Sequence, residues 1–208
     1  MSTNDSWSGY TDRTGFKDID TINTVRVAVE TDDSARLTES GNTGQYTSEK
    51  ETELSVENKE EKPISVFDAA SYILKRLNCS ISTMKLHKLL YYSQAWSMVW
   101  DGKPLFKDKI EAWANGPVVR TLFSFHRGMY DISYLKLGIG DERNLSEEQK
   151  ETVDGVLKFY GDMTAQALIN QTHFEDPWRN ARIGLKPDEP GDHEISLESM
   201  QAYYSSLK

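Results

Sequence analysis

Three sets of side chains in this sequence have residue types that chemistry could use. His87, Tyr91 and Gln94 follow one another at intervals of four and three, which places them on one face of a helix. An imidazole there could carry a proton in catalysis. His173, Glu175, Asp176 and His193 supply nitrogen and carboxylate donors of the kind that bind zinc. Ser93, next to Gln94, is a hydroxyl beside a hydrogen-bonding side chain.

Each set reads better as structure than as catalysis. No nucleophile or paired carboxylate accompanies His87, and its neighbours are leucines and tyrosines. A polar stripe on an otherwise apolar helix needs hydrogen-bond partners, so His87, Tyr91 and Gln94 are expected to bond to loop backbone or to another helix. The four metal-type residues are irregularly spaced, and Asp176 before Pro177 is placed to cap a helix. Ser93 lacks the strand–turn–helix setting of an exposed nucleophile. Neither a Gly-rich phosphate loop nor a His-Glu-x-x-His helix occurs. The sole cysteine, Cys79, excludes an internal disulfide and a cysteine-based zinc site. The expectation is therefore no catalytic residue, no cofactor, no metal and no enzymatic activity.

The elements that position these residues are mostly helical. Ser65 with Asp68 forms a capping-box pattern, and Val66, Ala70, Ile73, Leu74 and Leu77 make one apolar stripe behind it. From Thr83 to about Trp100, apolar residues spread around nearly the whole circumference, which marks a helix at the centre of a domain. Asp101-Gly102-Lys103-Pro104 is a turn. Ile110 to Trp113 reads as a short strand, paired with Leu105-Phe106 across Lys107 to Lys109. After Asn115-Gly116, Pro117 suits a first helical position, with Val118, Val119, Leu122, Phe123 and Phe125 continuing to Gly128. Ser146 with Gln149, Thr164, Asp176 and Ser196 are the further helix starts, and Gly161 is placed as a helix stop. The expected fold is mainly α: a compact single domain of about six helices around a buried central helix, with room for one short β-hairpin.

Charge and composition divide the chain. Residues 1–62 hold 7 Lys+Arg against 14 Asp+Glu, whereas four of the five tryptophans lie in 63–208. The folded domain is therefore assigned to 63–208. Residues 1–62 are an acidic, low-hydrophobicity segment expected to be mostly disordered, because it carries too little apolar surface to offset ordering entropy. Within it, Val25, Val27 and Val29 alternate in Asn23 to Glu30, the period of a half-buried strand at 23–30. A net charge of −9 disfavours contact with nucleic-acid phosphate. The second helix offers a major groove only Lys85 and Lys88 as basic groups. No stretch has the length or apolarity of a membrane span or a secretory signal, so the expected location is cytoplasmic with no membrane partner. Tyr130, Tyr134, Trp178 and Tyr204 are candidates for surface display at a protein interface, since large aromatics serve as anchors there.

The central wording points further. Lys85 to Tyr92, Pro104 to Phe106, Glu111 to Trp113 and Gly116 to Val118 resemble the signature block of the Panacea domain family, which includes SocA-like antitoxins and GepA-like prophage proteins. Leu168, Thr172-His173 and Asp176-Pro177-Trp178 resemble a second block of that family. The resemblance spans about 64–208, with one departure: His87 stands where glutamine is usual. It implies an antitoxin of a bacterial toxin–antitoxin system that neutralises a cognate toxin by direct protein–protein contact. Toxins of such systems include small alarmone-synthetase-like enzymes. SocA-like members act instead as proteolytic adaptors that deliver the toxin to ClpXP. A prophage-encoded interaction protein and a small metal-dependent hydrolase using His87 or the His173 region are the other readings.

Overall fold

In a computed structural model the residues described are 64–207. The boundary at 62/63, the acidic segment and the strand expected at 23–30 lie outside these residues. Helix α1, Val66–Leu77, begins on Ser65, whose side chain accepts from Phe67 N–H while the Asp68 carboxylate accepts from Ser65 N–H. A second carboxylate, Asp108, accepts from Val66 N–H at 3.0 Å and ties the loop before the hairpin to this helix start. The helix buries Val66, Ala69, Ala70, Ile73 and Leu74 on one side, as an amphipathic pattern requires.

Strand β1, Ile81–Ser82, leads into the central helix α2, Thr83–Trp100. Ser82 caps α2 by accepting from Lys85 N–H. Leu86, Leu89, Leu90, Tyr91, Tyr92, Ala95 and Trp96 are all fully buried, so packing surrounds this helix. Strands β2, Ile110–Trp113, and β3, Gly116–Val119, follow and pair antiparallel, with Trp113 opposite Gly116 and Ile110 opposite Val119. Then come α3, Arg120–His126; β4, Asp131–Ile132; and the one-turn α4, Tyr134–Leu137. A 3-10 turn, Glu142–Asn144, precedes α5, Glu147–Tyr160. The chain ends with α6, Ala165–Phe174; α7, Asp176–Ala181; and α8, Leu197–Ser205. The fold is mainly helical, with α5 and α8 packed most extensively on α2, and α6, α1 and β3 also against it.

Three expectations need correction. The hairpin pairs Ile110–Trp113 with Gly116–Val119 and not with Leu105-Phe106; Phe106 instead bridges Ile64. An Asn-Gly pair between two apolar runs favours a hairpin turn, and Gly116 takes the positive φ of +94° needed there. Pro117, Val118 and Val119 consequently belong to a strand, and helix starts only at Arg120. Proline is tolerated in β3 because a strand position whose N–H has no ladder partner loses nothing. Asp176 is the first helical residue of α7, and the cap residue is Glu175. The pairing of β1 with β4, Ile81 opposite Ile132, was not foreseen, since two-residue strands leave no periodic signal.

Gln94 fixes the loop between α2 and the hairpin. Its Nε2 donates to the Phe106 carbonyl and its Oε1 accepts from Phe106 N–H, both at 3.0 Å and both buried. Gln94→Leu would leave two buried backbone groups unpaired. Urea unfolding should then show a loss of about 2–4 kcal/mol; a loss under about 1 kcal/mol would mean that water or a shifted loop replaces the amide.

Candidate functional site

A buried hairpin has main-chain groups that need partners beyond its own ladder. Here helix side chains supply them. Lys88 Nζ donates to the Pro117 carbonyl at 3.0 Å, and Val119 N–H donates to His87 Nδ1 at 3.2 Å. Trp178 Nε1–H donates to the Trp113 carbonyl at 2.9 Å, and Arg182 Nη1 donates to the Ala112 carbonyl at 2.8 Å. On the free edge of β2, Ala112 N–H donates to the His193 carbonyl and Ile195 N–H to the Ile110 carbonyl, each at 2.8 Å.

Lys88 is fully buried. Burial alone pulls its ammonium down from the ordinary lysine value to about 7, because desolvation disfavours the charged form. Its side chain lies directly under the hairpin turn: a Cβ on Gly116 would come 2.6 Å from Lys88 Cε and 3.0 Å from Thr172 Oγ1. Glycine at 116 thus serves both the positive φ and this close approach. Lys88, Gly116-Pro117, Thr172 and Trp178, drawn from distant stretches of sequence, converge here.

His87 and His126 form a buried imidazole pair, with Nε2 to Nε2 at 2.8 Å. Because His87 Nδ1 accepts from Val119 N–H, a neutral His87 carries its proton on Nε2 and donates it to His126 Nε2. His126 is then protonated on Nδ1. Burial holds both imidazoles below the ordinary histidine value, His87 the more strongly, with the Lys88 charge adding to the effect there. The same tautomer argues against a metal between the two rings, since the lone pair on His87 Nε2 is not free. This pair lies at a cleft of about 640 Å³, lined also by Trp113, Phe123, Val118 and Met129. Arg120 stands at its rim over the Trp113 ring, paired to Glu111 at 2.7 Å and to Asp192 at 3.7 Å.

A second polar cluster sits inside the core. Tyr92 and Tyr204 donate their hydroxyls to Glu175 at 3.1 and 2.6 Å, and Tyr204 also reaches the Tyr91 hydroxyl. Tyr92 stacks on Tyr160 at 4.0 Å. Burial pushes the Glu175 carboxyl up to about 8, the two phenol donors opposing it. The four tyrosines are raised above their ordinary value by the same burial, with the Glu175 charge next.

The residues singled out from sequence divide accordingly. His87 and Gln94 bond loop and hairpin backbone, while Tyr91 faces the Glu175 cluster. Tyr130 is exposed and Tyr134 partly so. Trp178 and Tyr204, named with them as candidates for surface display, are buried, because one holds the hairpin and the other the carboxylate. His173 stacks on Trp178 at 4.1 Å, Glu175 is in the core, Asp176 pairs with Arg179, and His193 contributes backbone to the sheet edge. They do not converge, and no cluster of three or more metal-type side chains occurs among the described residues. Ser93 donates back to the Leu89 carbonyl inside its own helix. Lys88, His126, Trp113 and Arg182 were missed. Lys88 had a signal: on a helix that is apolar nearly all round, a lysine beside His87 must be buried too.

Residues 86–179 match the family model of the antitoxin SocA-like, Panacea domain. The resemblance in the motifs is borne out over that span, which is narrower than 64–208. No curated protein and no solved structure matches the chain.

Lys88 gives the stability a defined pH dependence. Its folded value near 7 lies below the ordinary 10.5, so between these limits the unfolded chain binds the extra proton and stability rises with pH. The opposing contribution of Glu175 is complete by about 8, and that of the tyrosines begins near 10. Between about pH 8 and 10 the unfolding free energy should climb by up to about 1.4 kcal/mol per pH unit. Lys88→Met should flatten that climb; an unchanged slope in the variant would assign it to other groups.

Proposed function

We propose that this chain is an antitoxin that neutralises a cognate toxin protein by direct binding. The match of residues 86–179 to the antitoxin SocA-like, Panacea domain carries the proposal. The site geometry agrees with it. The motif residues Lys88, Gly116, Pro117, Thr172 and Trp178 hold a hairpin in place. They present no nucleophile and base to a substrate, and neutralisation by occlusion needs none. No helix among the described residues is long and apolar enough to cross a membrane, which is consistent with a partner met in aqueous phase.

The toxin is the protein encoded beside this chain, with a small alarmone-synthetase-like enzyme as the first class to test. Binding alone is the simpler mechanism; delivery of the toxin to ClpXP is the alternative, and a prophage setting fits either. Co-expression with the neighbouring reading frame in a bacterial host is the test. The neighbour should arrest growth alone and be harmless when this chain is present, with its half-life unchanged in cells lacking ClpXP. A neighbour that is harmless alone, or lethal despite this chain, contradicts the antitoxin role. A toxin half-life that lengthens without ClpXP points to the adaptor mechanism.

A further inference from the structure

We propose that the His87–His126 pair is an acid-operated latch, which holds Val119 at the joint between the hairpin and α3 only while both rings are neutral. One added proton releases Val119 from His87 and leaves the two rings bonded to each other. This goes beyond the antitoxin reading and does not rest on it.

The ring nitrogens stand in a single file of hydrogen bonds. Val119 N–H donates to His87 Nδ1 at 3.2 Å, and the two Nε2 atoms lie 2.8 Å apart. His87 is therefore the donor between the rings, and the His126 Nδ1–H faces the main-chain carbonyl of His126 itself. Each nitrogen without a hydrogen already faces one: His87 Nδ1 the Val119 amide, and His126 Nε2 the His87 ring. A further proton must set two N–H groups face to face. The charge then sits on His87 or on His126, and one proton transfer across the 2.8 Å bond interconverts the two forms. Both forms keep a charge-assisted bond between the rings, stronger than a neutral one. Both also place a hydrogen on His87 Nδ1, opposite the Val119 N–H. The Val119 contact is the one that breaks.

Val119 ends β3 and is the cap residue of α3, where no side chain caps the helix. His87, His126 and the neighbouring Val118 line the same cleft, so solvent protons reach the pair and release of Val119 alters the cleft wall. The charges around the pair come from α2, α3, β2 and the loop before α8. Lys88 follows His87 on α2 and, with a folded value of about 7, is charged through the acid range. On α3, Arg120 is held by Glu111 of β2 and Asp192 of the loop, and Arg127 lies over the Phe123 ring at 5.6 Å. Among the described residues no carboxylate bonds to either ring. Burial holds both imidazoles below the ordinary histidine value, and the Lys88 charge adds to this at His87. The unfolded chain therefore takes up protons first, so the pair's contribution to stability is whole above 6.5 and drains away as pH falls below it.

The test is an acid titration of the full-length chain from about pH 7.5 to about pH 4.5, followed by the nitrogen resonances of the imidazoles and by the Val119 amide. At the neutral end His87 should carry its proton on Nε2 and His126 on Nδ1. The pair should take up its first proton with a midpoint below 6.5. The Val119 amide should shift with that same midpoint while core amides of α2, such as Leu90, stay in place. Replacing both rings, His87→Gln with His126→Gln, keeps donors and acceptors without a titrating nitrogen and should abolish the Val119 step. Lys88→Met should keep the step and move its midpoint upward, because a neighbouring positive charge is gone. A proton on His87 Nδ1 at neutral pH, proton uptake with Val119 unmoved, or loss of the whole fold without a step at Val119 overturns the latch. So does a Val119 step that survives in the double glutamine variant or vanishes in Lys88→Met. If the double variant does not fold, the titration of the unaltered chain decides by itself.

Discussion

The hydrogen bonds from helix side chains to the backbone of one short hairpin organise this domain. Two paired strands are marginal in water on their own, and burying them strands their outer N–H and C=O groups. Lys88, His87, Trp178 and Arg182 answer four of those groups, from α2, α7 and the segment after it. The positions of α2 and α7 around the hairpin follow from that requirement. So does glycine at 116, where the chain passes within van der Waals reach of the Lys88 side chain.

The arrangement has an electrostatic cost that the fold offsets elsewhere. Among the described residues Lys88 is buried without a counter-ion, and Glu175 is buried among tyrosines without a cation. Both are driven toward their neutral forms, which is the ordinary outcome when a charge enters an apolar interior. Neutral Lys88 still donates to Pro117, and Glu175 still collects two phenol hydroxyls. These groups therefore act as hydrogen-bonding structure. Their perturbed titration reflects their role in the fold, and perturbed values alone do not identify a catalytic site.

Much of this was legible in the sequence, and the failures have physical causes. The capping boxes at Ser65 and Ser146 and the caps at Thr164 and Ser196 were readable because one side chain answers one local N–H. The central position of α2 was readable from apolar residues on all its faces. The hairpin partner was misassigned because Pro117 fits a helix start as well as an edge strand, and only the Asn-Gly turn decides between them. Trp178 and Tyr204 stayed candidates for surface display because an aromatic on a short helix carries no periodic sign of burial. The His87–His126 pair could not be read at all, since it joins residues 39 apart through a tertiary contact.

Protection of the Val119 amide tests the central claim most directly, because that N–H donates to an imidazole and to no backbone carbonyl of the ladder. Hydrogen exchange in the native protein should find Val119 as slow as the core amides of α2, opening only with the whole domain. With His87→Leu, Val119 should exchange much faster while the α2 amides keep their protection. Fast exchange at Val119 in the native protein, or protection there that survives His87→Leu, would contradict a hairpin held by helix side chains.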